Sequence, residues 1–271
     1  MTEPGAAEMN GLQIIRSGDL CRNSLPDRPA RFMPRYDEQI ETVLELKPPV
    51  FSFVFGVPSA DVLERCRRAG IVTIGAATIP EEAKLLADAG VDMVVASGME
   101  AGGHRVSFLR EPEDCLTGTL ALVPAIVDTV QVPVIAAGGI VDARGVGAVL
   151  KLGASAAQIG TAFLACEESN ASPEHRAALF SEATFETTLT RAFTGRLARG
   201  IANRWTREAA AMAHAPYPLQ QFFTRELKRA AQARGGDART QLVSLWSSQA
   251  APNLTHRTAD ALIDALVADV H

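Results

Sequence analysis

Short apolar runs alternate with amphipathic stretches between residues 50 and 163. Five of the runs are continuously apolar and are predicted as strands: 51–56, 71–76, 91–97, 132–138 and 156–163. The stretches between them have helical spacing, with Ser59 placed to cap one helix and Gly70 placed to end it. Continuously apolar strands that alternate with helices predict a parallel sheet covered by helices. Both a doubly wound sheet and a (β/α)₈ barrel fit this pattern.

The alternation stops after residue 166. Residues 167–245 are rich in Ala and charged residues, which favours a small helical substrate or lid domain. Residues 246–271 end in an amphipathic helix, whose apolar positions are expected to return to cover the sheet formed by the βα units of residues 34–166. Residues 1–33 show no clear period and are expected to be irregular.

Composition narrows the class of protein. The chain has 271 residues, a formal net charge of −5 and 47% apolar residues, with no basic patch of the kind that binds nucleic acid. No apolar run approaches the roughly 20 residues of a membrane span, and the N-terminus lacks the features of a signal peptide. The four cysteines are widely spaced without a CxxC pair, which predicts reduced, mostly buried thiols, a cytoplasmic location and no metal site.

Two glycine turns follow the last two predicted strands. The sequence AAGGI at 136–140 follows one strand, and QIGT at 158–161 closes the next. Glycine lets backbone N–H groups approach a ligand, and in β/α barrels the loops after strands 7 and 8 often bind phosphate. Thr161 would add a hydroxyl donor. The alternative is that Gly138 and Gly139 only make a tight turn.

A glycine-rich loop, ASGMEAGGHRVSF at 96–108, leaves the third predicted strand and carries one imidazole. Imidazole titrates near neutral pH, which makes the lone His104 a candidate functional residue. The alternative is a histidine that only packs the loop. Glu100 would orient the loop or pair with Arg105.

Two further motifs leave alternatives open. Tyr217, within PYP, lies near a substrate pocket or merely at a helix break. Arg196 and Arg199, within GRLARG, hold a ligand phosphate or a substrate anion, or else cap helices and bridge the two domains.

Four segments together resemble the nitronate monooxygenase family. They are SGMEAGGHR, PVIAAGGI, AAQIGTAF and TRAFTGRLARGIANR, which occur in the family's order and spacing. The resemblance runs from about residue 34 to the end. It implies an α/β fold, a TIM (β/α)₈-type barrel with a small helical substrate or lid domain. About five C-terminal βα units of the barrel are recognisable. The family's first three βα units are not recognisable in residues 1–50, so the chain resembles a member in which they are missing or replaced.

The resemblance also implies the cofactor and the site residues. It makes FMN the expected cofactor and His104 the expected catalytic residue. His104 would remove a proton α to a nitro group as a base, or hold the anionic nitronate already formed. The expected FMN-binding residues are Ser97, Gly98, Gly102, Gly103, Gly138, Gly139, Gln158, Ile159, Gly160 and Thr161. Ser97 stands where many members have Gln, and Ser248 stands where Gly is usual.

The function expected from this resemblance is FMN-dependent oxidation of nitronates or nitroalkanes with O₂. Its partners would be a small-molecule substrate and O₂. Binding to nucleic acid or to a membrane is not expected, and a homo-oligomer is a possible assembly. One alternative is an NAD(P)H-dependent enoyl thioester or quinone reductase on the same scaffold. The other is a non-catalytic barrel fragment.

Overall fold

The computed structural model describes residues 35–268, so the expected irregular segment 1–33 lies outside the described residues. The helices are α1 (Tyr36–Leu46), α2 (Ala60–Arg68), α3 (Pro80–Asp88), α4 (Thr119–Val127), α5 (Ala143–Lys151), α6 (Thr161–Leu164), α7 (Pro173–Leu179), α8 (Arg204–Glu208), α9 (Leu219–Arg234), α10 (Ala238–Gln241) and α11 (Ala259–Val267). The strands are β1 (Val50–Phe53), β2 (Val72–Ala77), β3 (Met93–Ser97), β4 (Gly103–His104), β5 (Val134–Ala137), β6 (Ala156–Gln158), β7 (Thr187–Thr190) and β8 (Ala198–Ile201). Short 3-10 turns occupy Pro112–Asp114, Glu182–Phe185 and Ala251–Asn253.

The five predicted strands form one sheet in which every neighbouring pair is parallel. Its order is β1, β2, β3, β5, β6, so each predicted strand lies beside the next one along the chain. This confirms the predicted α/β class and the barrel-type succession of βα units. Within residues 35–268 the sheet does not close, because β1 and β6 are its two edges.

The two faces of this sheet bury different side chains, because successive residues of a strand point to opposite faces. On β3, Val94 and Ala96 belong to the main core beneath helices α3 to α5. Val95 belongs to a small cluster of short side chains on the other face, together with Ala76 and Ala137. Short side chains on that inner face leave room for a cavity.

Four of the five predicted strands are longer than the observed ones, and the largest differences are at the ends of the first and last runs. The run 51–56 ends as a strand at Phe53, because Phe55 turns into a left-handed conformation with φ 71°. The run 156–163 ends at Gln158, and helix α6 begins at Thr161. Ala162 packs in a core with Leu262 of α11, which shows that the final apolar residues belong to a buried helix. Hydrophobicity alone does not separate a buried strand from a short buried helix.

The region 167–245, expected to be purely helical, also contains strands. β7 and β8 pair antiparallel, and β8 pairs on its other side with the two-residue strand β4. The chain therefore builds a small sheet that joins this region to the loop after β3. The sequence pattern missed β7 and β8 because their sequences, TTLT and ARGI, are not apolar runs. The division of the chain into domains at 166 and 245 stays a prediction.

Three further sequence expectations concern the helices and the cysteines. Ser59 caps α2 as predicted, since its side chain accepts a hydrogen bond from the Val62 N–H. Cys66, Cys115 and Cys166 are free and buried, as expected, and Cys21 lies outside the described residues. Within the described residues, no helix is both long and apolar enough to cross a membrane.

Candidate active site

A cavity of about 370 Å³ lies against the inner face of the parallel sheet and its carboxyl edge. This edge is where the sites of parallel α/β folds collect. The lining residues are Ser52, Val54, Ala76, Val95, Ser97, Ala101, Gly102, Gly103, His104, Val106, Ala137, Gly138, Gly139, Ile140, Gln158, Gly160, Thr161, Leu164, Trp246 and Ser248. Within the described residues, no Asp or Glu side chain lines this cavity.

The loop after β3 is held in place by Arg105. This guanidinium is fully buried and donates hydrogen bonds to the carbonyl oxygens of Ser97, Gly98 and Cys115. Because it reaches back to the start of the loop, Arg105 folds the chain into a closed turn. Pairing of β4 with β8 then places His104 opposite Ala198 and fixes where the turn faces.

Glu100 orients this loop and does not pair with Arg105. Its carboxylate accepts hydrogen bonds from the backbone N–H of Thr119, at 3.0 Å, and from the Thr119 hydroxyl, at 2.9 Å. It therefore ties the loop to the first turn of α4. Of the two roles left open by the sequence, the orienting role is the one observed.

The imidazole of His104 lies among aromatic rings that arrive from three other segments. Its ring centroid is 5.5 Å from Trp246, 5.7 Å from Tyr217 and 6.4 Å from Phe55. The Nε2 atom lies 2.9 Å from the hydroxyl oxygen of Thr194. His104 is thus a cavity-lining residue held by edge-to-face and tilted ring contacts and by a hydrogen bond.

The surroundings of His104 are positively charged. Burial, together with the charges of Arg196 and Lys228, lowers the pKa of the His104 imidazole from 6.5 to about 4. The imidazole is therefore neutral at pH 7 and can accept a proton. A positive field of this kind also favours a negatively charged molecule beside His104.

Lys228, on helix α9, is one of the two cations that act on His104. It lies one helical turn after Thr224, whose hydroxyl donates to the Phe193 carbonyl, and its ammonium is 5.6 Å from the Phe193 ring centroid. Burial lowers the pKa of Lys228. Among the described residues, no carboxylate pairs with its ammonium.

Arg196 and Arg199 bridge the loop after β3 and the small sheet. Arg196 donates to the carbonyl oxygens of Arg105 and Ser107, and its guanidinium lies 4.0 Å from the centroid of the Phe55 ring. Arg199 donates to the carbonyl oxygen of Met99 at 2.9 Å. These contacts match the bridging alternative from the sequence.

The two glycine turns converge on the opposite end of the cavity. Gly138 and Gly139 both adopt positive φ angles, 104° and 74°, so they do form a tight turn. In the described part of the chain, the backbone N–H groups of Gly139 and Gly160 donate to no protein acceptor. A Cβ atom built on Gly160 would meet nothing within 4 Å, so this glycine leaves space that a ligand can fill.

The end of the chain closes this part of the cavity. The backbone N–H of Ser248 donates to the Thr161 hydroxyl at 3.0 Å, which leaves the hydroxyl hydrogen free to donate elsewhere. A Cβ on Gly102 would lie 2.7 Å from the Ser247 carbonyl carbon, so only glycine fits beneath this segment. This part of the cavity offers backbone donors, a hydroxyl and open space, which suit the phosphate of a mononucleotide.

Nine of the predicted site residues line the cavity, and two do not. Gly98 donates its N–H to the Ala137 carbonyl and packs at the back of the loop. Ile159 packs between two hydrophobic cores. The assigned roles of all eleven residues stay predictions.

Sequence reasoning missed Trp246, Phe55, Thr194 and Lys228 around His104. Trp246 lies in the LWSSQ segment, which carried a family signal but was not assigned to the site. Thr194 lies 90 residues from His104, and no local pattern marks it. Tyr217, whose place was left open, lies against His104.

A family model described as nitronate monooxygenase matches residues 14–269. Proteins named probable nitronate monooxygenase from Staphylococcus aureus are similar to this chain, and that of strain MSSA476 is 42% identical over 235 residues. The match covers 86% of this chain and 65% of the relative, so the chain spans slightly less than two thirds of that relative's length.

Two kinds of solved structure share the fold. Nitroalkane oxidase from Streptomyces ansochromogenes is 41% identical with a TM-score of 0.82, over 87% of this chain and 68% of that one. FabK from Thermotoga maritima is 26% identical with a TM-score of 0.70, over 88% and 73%. The nitroalkane oxidase is thus the more similar of the two.

Proposed function

The chain belongs to the nitronate monooxygenase family, and we propose that it is an FMN-dependent oxidoreductase that oxidises nitronates with O₂. Members of this family are flavoproteins. One observation carries the proposal. The same cavity is lined by two glycine turns whose backbone N–H groups have no partner among the described residues, and by the neutral imidazole of His104, on which two positive charges act.

The residues at the glycine turns fit the phosphate of FMN. The N–H groups of Gly139 and Gly160 and the hydroxyl of Thr161 would hold the phosphate oxygens, because uncharged donors that are not otherwise paired suit an anion. Gly102 and Gly103 would let the backbone lie against the ring system. Ser97, Gly138 and Gln158 line the same cavity and would make further contacts. When bound, FMN supplies the electron transfer and the reaction with O₂.

His104 would act on the substrate carbon. With a neutral nitroalkane, the imidazole takes the α-proton, and the electron pair of the broken C–H bond moves into the nitro group to give a nitronate. Since the positive charges of Arg196 and Lys228 oppose protonation of His104 and stabilise the nitronate anion, we expect preformed nitronates to be the better substrates.

An NAD(P)H-dependent reductase is the second candidate, and the similarity to FabK is the observation that favours it. The lower identity of that match, 26% against 41%, places it behind oxidation of nitronates. A cytoplasmic location and a homo-oligomeric state stay predictions.

The test begins with the purified protein. It should bind FMN, with the visible absorption of a bound flavin, and a colourless protein that takes up no FMN would favour the non-catalytic alternative. Mixed anaerobically, propionate 3-nitronate should bleach the flavin, and O₂ should restore the colour. Bleaching by NAD(P)H but not by the nitronate would overturn the proposal in favour of the reductase.

A further inference from the structure

The hydroxyl group of Thr194 meets three polar groups at once. Thr194 is 4% exposed and lies between β7 and β8. Its oxygen is 2.9 Å from His104 Nε2, 3.2 Å from the Arg196 carbonyl oxygen and 3.3 Å from the Arg196 backbone nitrogen. Two of these groups have fixed roles, because a backbone N–H only donates and a carbonyl oxygen only accepts.

The single hydroxyl hydrogen can serve one of two acceptors. A hydroxyl has one hydrogen and two lone pairs. If the hydrogen points to the Arg196 carbonyl, both lone pairs accept, one from the Arg196 N–H and one from a hydrogen on His104 Nε2. Every group of the cluster is then paired.

The opposite arrangement leaves a group without a partner. If the hydroxyl donates to Nε2, the Arg196 carbonyl faces the hydroxyl oxygen at 3.2 Å with no hydrogen between them. Among the described residues, no other donor reaches that carbonyl. Buried polar groups are nearly always paired, so the first arrangement is the favoured one.

The choice of nitrogen matters because His104 is neutral at pH 7. A protonated imidazole carries a hydrogen on both nitrogens, whereas a neutral one carries it on one and offers the other as a base. The charged groups that act on His104 from the neighbouring elements are Arg196 and Lys228. The aromatic rings of Phe55, Tyr217 and Trp246 have their centroids within 6.4 Å of the imidazole centroid.

We propose that Thr194 is a positioning residue that holds His104 as the Nε2–H tautomer and leaves Nδ1 as the atom that accepts a proton. The inference rests on the proposed function in one respect only, namely that the proton comes from the α-carbon of a nitroalkane. In that step the C–H bond breaks, the proton moves to Nδ1, and the electron pair enters the nitro group. The tautomer itself is a property of this chain, and it is measurable without any substrate.

The first experiment reads the tautomer directly. The protein is labelled with ¹⁵N in its histidine rings, and His104 is assigned by the signals lost in His104→Gln. At pH 7 the wild type should show Nε2 at the shift of a protonated ring nitrogen and Nδ1 at that of an unprotonated one. The reverse assignment would overturn the proposal.

Variants then test whether Thr194 sets the tautomer. Thr194→Ser keeps the hydroxyl and should keep the Nε2–H form. Thr194→Val removes the hydroxyl that pairs with Nε2 and should move hydrogen to Nδ1, because an unpaired buried N–H is costly. Thr188→Val, on the same small sheet, is the matched control and should change nothing. An unchanged tautomer in Thr194→Val would contradict a positioning role.

Kinetics supply the second readout. Thr194→Val should lower kcat on a neutral nitroalkane about tenfold or more, since a misplaced base loses part of the usual gain of general-base catalysis. It should leave oxidation of the matching nitronate nearly unchanged, and Thr194→Ser should restore the rate. Equal losses on both substrates would contradict the inference. If the protein oxidises neither substrate, the proposed function fails, while the tautomer measurement still decides the role of Thr194.

Discussion

At one end of the cavity, the donors are backbone N–H groups of Gly139 and Gly160, held by turns that directly follow two parallel strands. At the other end, His104 is surrounded by side chains from the small sheet, from α9 and from the segment around Trp246. We call these the glycine end and the histidine end. The glycine end depends on local backbone shape, whereas the histidine end depends on contacts between distant segments. The two ends should therefore respond differently to substitution.

The largest effect is expected at the glycine end. Gly160→Leu fills the space beside the unpaired N–H groups, and we expect FMN affinity to fall at least about 100-fold, or roughly 2.7 kcal/mol. Titration with FMN, followed by fluorescence, measures the change. Gly147→Leu is the control, since a Cβ there also meets nothing within 4 Å but Gly147 does not line the cavity. Full flavin occupancy in Gly160→Leu would contradict the proposal that Gly160 helps to bind the FMN phosphate.

The next substitution should show that FMN binding at the glycine end does not depend on the histidine end. His104→Ala should retain FMN, because the phosphate turns lie on other strands. Its rate on neutral nitroalkanes should fall by about 10²–10⁴, the usual range for loss of a general base. The loss on preformed nitronates should be smaller, because they no longer carry the α-proton. Equal losses, measured as kcat/KM on matched pairs, would identify His104 as an anion-binding group instead.

A smaller effect should come from the charge at the histidine end. Lys228→Met removes a cation that has no described acidic partner, and we expect the KM for a nitronate to rise about tenfold, or roughly 1.4 kcal/mol. The KM for the neutral nitroalkane should not change, because it carries no charge. Lys228→Arg should behave like the wild type, as should the control Lys151→Met on the exposed end of α5. A uniform loss on both substrates would show that Lys228 only supports the fold.

The smallest effect concerns stability in acid. The folded protein lowers the pKa of His104 to about 4, whereas an unfolded histidine titrates near 6.5. Between these values the unfolded chain binds the proton more readily, so this contribution to stability is complete above pH 6.5 and declines towards pH 4. Urea unfolding at pH 7 and pH 5.5 should show a loss about 1 kcal/mol smaller in His104→Gln than in the wild type. The same loss in both proteins would mean that His104 is not buried as a neutral ring.

The same contrast explains what could be predicted from the sequence. The parallel strands and the turn at Gly138 and Gly139 were predictable, because hydrophobic runs and glycine pairs act over a few residues. The run 156–163 was extended too far, since a short buried helix and a strand have the same composition at Ala162. Thr194 was not predictable, because its contact with His104 depends on pairing of β4 with β8 across about a third of the chain.

The contact between Ser248 and Thr161 also sets an order of events during synthesis. A nascent chain that has emerged as far as residue 200 already contains all five parallel strands and both glycine turns. It still lacks Ser248, 87 residues beyond Thr161, and Trp246, which covers His104. The cavity therefore gains this wall only after residue 248 has been synthesised. We expect ribosome-bound chains halted at residue 200 to retain little FMN, and released chains that extend through residue 271 to acquire it.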